Sequence, residues 1–253
     1  MVDYIIKEGI HFRGFFSNYL TIINSFKVLQ HNGILSANIK LGPKLFRLYG
    51  EADNWFDSTV CGQIGIDWDS LQDFGLSKWP TVDELTLYSN IVGLIPWNAR
   101  ITSLISIAKQ KTHGCTIGVH FRGTDHNIND GMHGSRVELD IYKTHILEQC
   151  SRQTTNKIFV CTDEQGIVEN LHEWAGKTLP NVTLYYNNFC KTPNRQGLHW
   201  QGSPFNKIQL ADEVIQDMMC LAQCQVIIGK TSNVSTVARI YNPNVQMVYC
   251  DQP

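Results

Sequence analysis

A chain of 253 residues, 43% hydrophobic and 10% aromatic, carries ample material for a packed core in one large domain or two small ones. Its 21 Lys and Arg nearly balance 23 Asp and Glu, which excludes a general basic field for nucleic acid or an anionic membrane and leaves any anionic ligand to locally placed cations. No run approaches the roughly 20 apolar residues that span a bilayer. Asp3, Lys7 and Glu8 stand where a signal peptide is apolar, and the eight scattered cysteines include no CxxC pair. The expectation is a soluble, cytoplasmic chain with reduced thiols and no nucleic-acid partner.

In chain order, residues 2–6 form a candidate first strand, and residues 17–30 place Tyr19, Ile22, Ile23, Phe26 and Leu29 at helical spacing. Between them lies Gly9-Ile-His-Phe-Arg-Gly14-Phe-Phe-Ser17, a glycine-containing turn of the kind at which open α/β sheets bind ligand. Asp67-Trp-Asp69 has the acid-x-acid pattern that holds a divalent metal. With Asp73, Trp68 and Trp79 close by, it is read in preference as a solvated acidic turn. Residues 99–108 carry Ile101, Leu104, Ile105 and Ala108 on one helical face, and the polar stretch 109–114 is the candidate boundary between domains of residues 1–112 and 113–253. From there, β-rich runs at 115–121, 157–162, 182–186, 225–229 and 246–249 alternate with helical patterns at 138–149, 164–175, 208–223 and 232–241. That alternation predicts an α/β fold with a doubly wound parallel sheet.

Three strand ends carry chemistry. Ile117-Gly-Val-His120-Phe-Arg122-Gly-Thr124-Asp125 is an apolar strand that breaks into polar residues at its carboxyl end, where such sheets place ligand contacts. A guanidinium there grips two phosphate oxygens at once; the bland alternative is a core histidine and an Arg122–Asp125 ion pair. Val226-Ile-Ile-Gly229-Lys-Thr231-Ser232-Asn233-Val-Ser235 is a strand, a glycine turn and then hydroxyl and amide side chains opening a helix. It is either an anion site or an ordinary helix cap. In Phe159-Val-Cys-Thr162-Asp163-Glu164, Asp163 is a ligand contact or an N-cap. Three such ends on one sheet favour a shared cleft.

His120-Phe-Arg122-Gly-Thr124-Asp125 resembles the His-x-Arg-x-Thr-Asp element of the fucosyltransferase superfamily, which includes core N-glycan, nodulation-factor and protein O-fucosyltransferases. Thr162-Asp163 and Ser232-Asn233-Val-Ser235 follow in the order of that family's later elements, and Gly14-Phe-Phe-Ser17-Asn18 is similar to its N-terminal loop. The resemblance implies a GT-B fold, two Rossmann-like domains facing a cleft, with an acceptor-side N-terminal domain and a nucleotide-sugar-binding C-terminal domain. It implies donor contacts at His120, Arg122, Asp163, Ser232, Asn233, Ser235 and Gly14, with Arg122 on the diphosphate. The activity implied is transfer of fucose from GDP-fucose to a glycan hydroxyl, by inverting displacement without metal or other cofactor; Asp125 and Asp130 are both candidate bases. The chain departs from the pattern at Gly123 and His126, where many members carry basic residues, so less fixed positive charge stands near the phosphates.

Two alternatives stay open. A metal-dependent transferase of the GT-A type would use Asp67 and Asp69 with a UDP-sugar, and a non-catalytic sugar- or nucleotide-binding module would keep the fold without turnover. Other nucleotide-binding enzymes are disfavoured, because the chain has neither a P-loop nor a clear GxGxxG fingerprint.

Overall fold

The structure, a computed structural model, describes residues 4–6, 15–31, 33, 39–41, 49, 51–61, 80–122, 136–153, 156–189, 191–192, 198 and 204–251. Two short strands, β1 (Tyr4–Ile6) and β2 (Ile39–Leu41), pair in parallel, with α1 (Phe15–His31) between them in the chain. Tyr19, Ile22, Ile23, Phe26 and Leu29 of α1 are all buried, the face that their spacing predicts.

Neither β2 nor α2 (Val82–Val92) is among the sequence expectations. A three-residue strand is too short to show a period. The signal for α2 lies at its start: Thr81 Oγ1 accepts the Glu84 N–H at 3.2 Å, and the Glu84 carboxylate accepts the Thr81 N–H at 2.8 Å. This reciprocal box satisfies two amides that the first turn otherwise leaves open. α3 (Ala99–Lys111) runs on through Lys109, Gln110 and Lys111, so half of the polar boundary stretch is helical. Gly114, at φ 83°, then turns the chain into the main sheet.

That sheet consists of β3 (Ile117–Phe121), β4 (Lys157–Thr162), β5 (Thr183–Tyr186), β6 (Val226–Gly229) and β7 (Gln246–Tyr249). All neighbours are parallel, in the order β5-β4-β3-β6-β7. The crossovers are α4 (Leu139–Arg152), α5 (Gln165–Thr178), α6 (Lys207–Leu221) and α7 (Asn233–Tyr241). The chain winds outward from β3 to β5, then returns to lay β6 and β7 on the other side of β3. Between β3 and β6 the winding reverses, which makes the carboxyl ends of these strands the topological switch point where open α/β sheets place their ligand crevice.

The sheet is covered on both faces. Ile117, Val119 and Phe121 of β3, with Ile158 and Val160 of β4, pack with Tyr142 and Ile146 of α4 and Leu171 and Ala175 of α5. Phe159 and Cys161 of β4 and Ile227 of β6 join the cluster that holds α6 and α7. The latter cluster is continuous with the buried faces of α1, α2 and α3, from Phe15 to Val245. Polar pins cross it: the Tyr19 and Tyr241 hydroxyls bond at 2.8 Å, Trp55 Nε1 donates to Asp212 at 3.1 Å, and Arg100 pairs with the same carboxylate. Tyr19, Phe56, Trp97 and Tyr241 form a stacked aromatic set with centroids 5.0 to 6.3 Å apart. Seven described cysteines are free thiols, and no described helix is long and apolar enough to cross a membrane.

Register at the switch point depends on Gly229. It pairs with His120, and a Cβ built there would stand 3.0 Å from the His120 carbonyl oxygen and 3.4 Å from its Cβ. Backbone cannot yield cheaply to such a contact. Gly229→Ala is therefore expected to lower stability by about 1–3 kcal/mol in urea unfolding, with β3 and β6 pushed apart.

Candidate functional site

His120 is the last β3 residue whose side chain points toward α6 and α7, and it is only 5% exposed. Its ring Nδ1 lies 3.1 Å from Ser232 Oγ, across the switch point. Ser232 is the N-cap of α7 and accepts the Ser235 N–H at 3.1 Å. Ser235 is buried; its hydroxyl lies 3.0 Å from Ser232 Oγ and donates to the Ser232 carbonyl at 3.1 Å. The cap reading holds for Ser232, and the hydroxyl that caps α7 also meets His120. Given to Nδ1, the Ser232 proton leaves Nε2 as the N–H face of the ring. Arg122 follows immediately after β3 and is half-buried, and Asn233 opens α7, also half-buried.

Helix geometry leaves the first N–H groups of α7 without intrahelical acceptors. The Ser235 amide goes to Ser232 Oγ and the Thr236 amide to the Ser232 carbonyl, so Asn233 and Val234 carry the donors at the positive end of the helix dipole. Such open N–H donors at a helix N-terminus are chemically suited to an anionic group.

The row extends to the other side of β3. Cys161 pairs in register with His120 and lies on the same face. Its Sγ donates to Asp217 Oδ2 of α6 at 3.4 Å, and the Asn187 amide, just past β5, donates to Asp217 Oδ1 at 2.7 Å. Lys191 Nζ donates to the Thr162 carbonyl at 3.0 Å, at the end of β4. Burial lifts the Asp217 carboxyl to about 6, against the opposing pull of the Asn187 amide, the Lys191 charge and the Cys161 thiol. Asp217 is absent from the sequence expectations. A clue is visible in hindsight: one acid interrupts the largely apolar run Ile215-Gln-Asp217-Met-Met-Cys-Leu221.

Asp163 follows β4, half-buried, and its carbonyl accepts the Thr192 N–H at 2.8 Å. The N-cap position of α5 belongs to Glu164, so Asp163 does not cap that helix. Behind this edge, Arg136 pairs with Glu164 at 3.1 Å and lies over the Phe121 ring. The structure therefore brings His120, Ser232 and Ser235 into hydrogen-bond contact, with Arg122, Asn233 and Asp163 at the same carboxyl edge of the sheet. Gly14, Asp67, Asp69, Asp125 and Asp130 lie outside the described residues. Among the described residues, no group of three His, Cys, Asp or Glu side chains is placed to hold a metal ion.

A doubly wound parallel sheet with a polar row at its switch point defines a Rossmann-like ligand-binding architecture. No protein-family model matches the chain, and no curated protein matches it in sequence. Among solved structures, fucosyltransferase NodZ from Bradyrhizobium superposes with a TM-score of 0.57 at 15% identity, over 100% of this chain and 97% of that one. NodZ alpha-1,6-fucosyltransferase soaked with GDP-fucose gives 0.58 at 15% identity, covering 98% and 95%. POFUT1 in complex with GDP-fucose gives 0.42 at 11% identity, and the chain spans only 50% of its length. The two NodZ superpositions show that the chain shares their GT-B fold, as the His-x-Arg-x-Thr-Asp resemblance implies.

The raised Asp217 carboxyl makes stability pH-dependent with a defined sign. Between the ordinary carboxylate value of 3.8 and about 6, the native state holds a proton that the unfolded chain releases. Stability therefore falls as pH rises through that window and levels off above it. In Asp217→Asn this slope should vanish. The stability difference between wild type and variant, measured by urea unfolding, should shift toward the wild type by up to roughly 3 kcal/mol between pH 7 and pH 4.

Proposed function

We propose that the chain is a glycosyltransferase that moves fucose from GDP-fucose to a glycan hydroxyl by metal-independent, inverting displacement. The observation that carries this reading is the His120–Ser232 contact, which joins the β3 motif to the N-terminus of α7 at the switch point. NodZ alpha-1,6-fucosyltransferase, which shares this fold, was co-crystallised with GDP and soaked with GDP-fucose, which supports the choice of donor.

Charge along the row orients the nucleotide. Arg122 and the first-turn amides of α7 favour the diphosphate. Asp217 and Asn187, on the far side of His120, put a carboxylate where a phosphate would be repelled and where base N–H donors would be accepted. Guanine presents two such donors side by side, at N1 and N2. In this arrangement the diphosphate leaves from the α7 end, its developing charge met by Arg122, Ser232 and Asn233. A carboxylate, Asp125 or Asp130, takes the proton of the attacking hydroxyl, which reaches the anomeric carbon from the face opposite the leaving group.

GDP should raise the melting temperature where UDP, ADP and dTDP do not, with a stabilisation of about 2.7 kcal/mol at a hundredfold excess over Kd. Arg122→Ala should keep the wild-type melting temperature and lose on the order of a hundredfold or more in transfer rate. Wild-type turnover in that variant refutes the assignment of Arg122. Donor hydrolysis across GDP-fucose, GDP-mannose, UDP-glucose and UDP-galactose tests the sugar, and a clear UDP-sugar preference overturns the fucosyltransferase reading.

Turnover is also expected to survive EDTA, because the diphosphate is neutralised by Arg122 and helix-terminal donors. Loss of activity on chelation, restored by manganese or magnesium and mimicked by Asp67→Asn, would move the chain to the acid-x-acid mechanism.

A further inference from the structure

The turn between β6 and α7 is held from outside by a residue that the scheme above does not use. Asp251, just past β7, accepts the Thr231 backbone N–H at 3.2 and 3.3 Å on its two carboxylate oxygens, and the Thr231 hydroxyl at 3.4 Å. The neighbouring Cys250 N–H donates to the Gly229 carbonyl at 2.9 Å. The end of β7 is therefore stitched to both sides of the turn. Asp251 also lies close enough to Tyr142, Tyr249 and Cys250 for its charge to help raise all three, secondary to their burial. Tyr142 in turn reaches the His120 carbonyl at 3.5 Å, so Asp251 belongs to the layer that underlies the switch point.

A backbone amide in a turn ahead of a helix is a natural partner for an anionic ligand. At Thr231 an internal carboxylate already occupies that amide. A diphosphate is thereby kept off the turn and left to the next donors along, the Asn233 and Val234 amides and Ser232.

We propose that Asp251 is a positioning residue of the donor site. Acting through Thr231, it sets the angle at which Ser232 and the first turn of α7 meet the diphosphate. This role rests on the nucleotide-sugar reading given above. Asp251 touches no reacting atom, so its effect should fall on the phosphates and spare the base.

The test is titration calorimetry of the full chain with GDP and with guanosine, for wild type, Asp251→Asn and Asp251→Ala, alongside hydrogen exchange at the Thr231 amide. Asn keeps an oxygen acceptor for that amide, and Ala does not. Asp251→Ala is expected to weaken GDP by about tenfold or more, leave guanosine within about twofold, and lose protection at Thr231. Asp251→Asn should keep the protection and hold GDP within about threefold. GDP binding by Asp251→Ala at wild-type strength, or equal losses of GDP and guanosine, overturns the role. If Asp251→Ala fails to fold, Asp251→Glu moves the acceptor by one methylene and must show the same GDP-only loss; full GDP affinity in that variant counts equally against the role. A wild type that binds no GDP while its Thr231 amide is protected sinks the nucleotide reading and this role together. Binding that ignores Asp251 sinks the role alone.

Discussion

The hydrogen bond between His120 and Ser232 is the point on which the site depends. It exists because β3 and β6 lie side by side although more than a hundred residues separate them in the chain, and because Gly229 lets the two backbones approach at the register that puts His120 opposite it. A one-residue slip would turn His120 to the α4 and α5 face and replace it with an apolar side chain. The motif has meaning only in this register.

From that contact the polar row spreads in both directions, with opposite electrical character. Toward α7 there are hydroxyls and helix-terminal amides; toward β5 there is a carboxyl whose pKa burial raises, held by the Asn187 amide and the Cys161 thiol. A ligand with an anionic end and an end rich in N–H donors fits this polarity in one orientation. The fold supplies the polarity with little net charge on the chain, which is only −2.

Much of this was legible in the sequence, for physical reasons. Strands buried on both faces read as unbroken apolar runs, and 157–162 is both the expected and the observed extent of β4. The polar break after Phe121 and the hydroxyl-rich start of α7 mark ligand-facing strand ends because a carboxyl edge is where a parallel sheet meets solvent. Asp217 was not legible, since its meaning comes from which turn of α6 lies over Cys161, and helical spacing does not fix that. Asp251 hides for a similar reason: its partner Thr231 is 20 residues away, and only the β6–β7 pairing brings the two together. α2 was as readable as α1, since Thr81-x-x-Glu84 marks its start and Leu85, Tyr88, Ile91 and Val92 follow at helical spacing on its buried face, yet it is missing from the expectations.

The continuous cluster that joins α1, α2 and α3 to α6 and α7 has a consequence for biosynthesis. Tyr19, Ile22, Ile23 and Phe26, with Leu85 and Tyr88, are covered in the finished molecule by a body that includes residues 207–241. A ribosome makes those covering helices only after the long stretch of chain that separates Val92 from Lys207. The early helices therefore emerge with their aromatic faces wet and wait for these partners until residues 207–241 have been made. Such a chain closes its core late and over long sequence distances, which makes it slow to mature and a natural client of chaperones that shield nascent apolar surface.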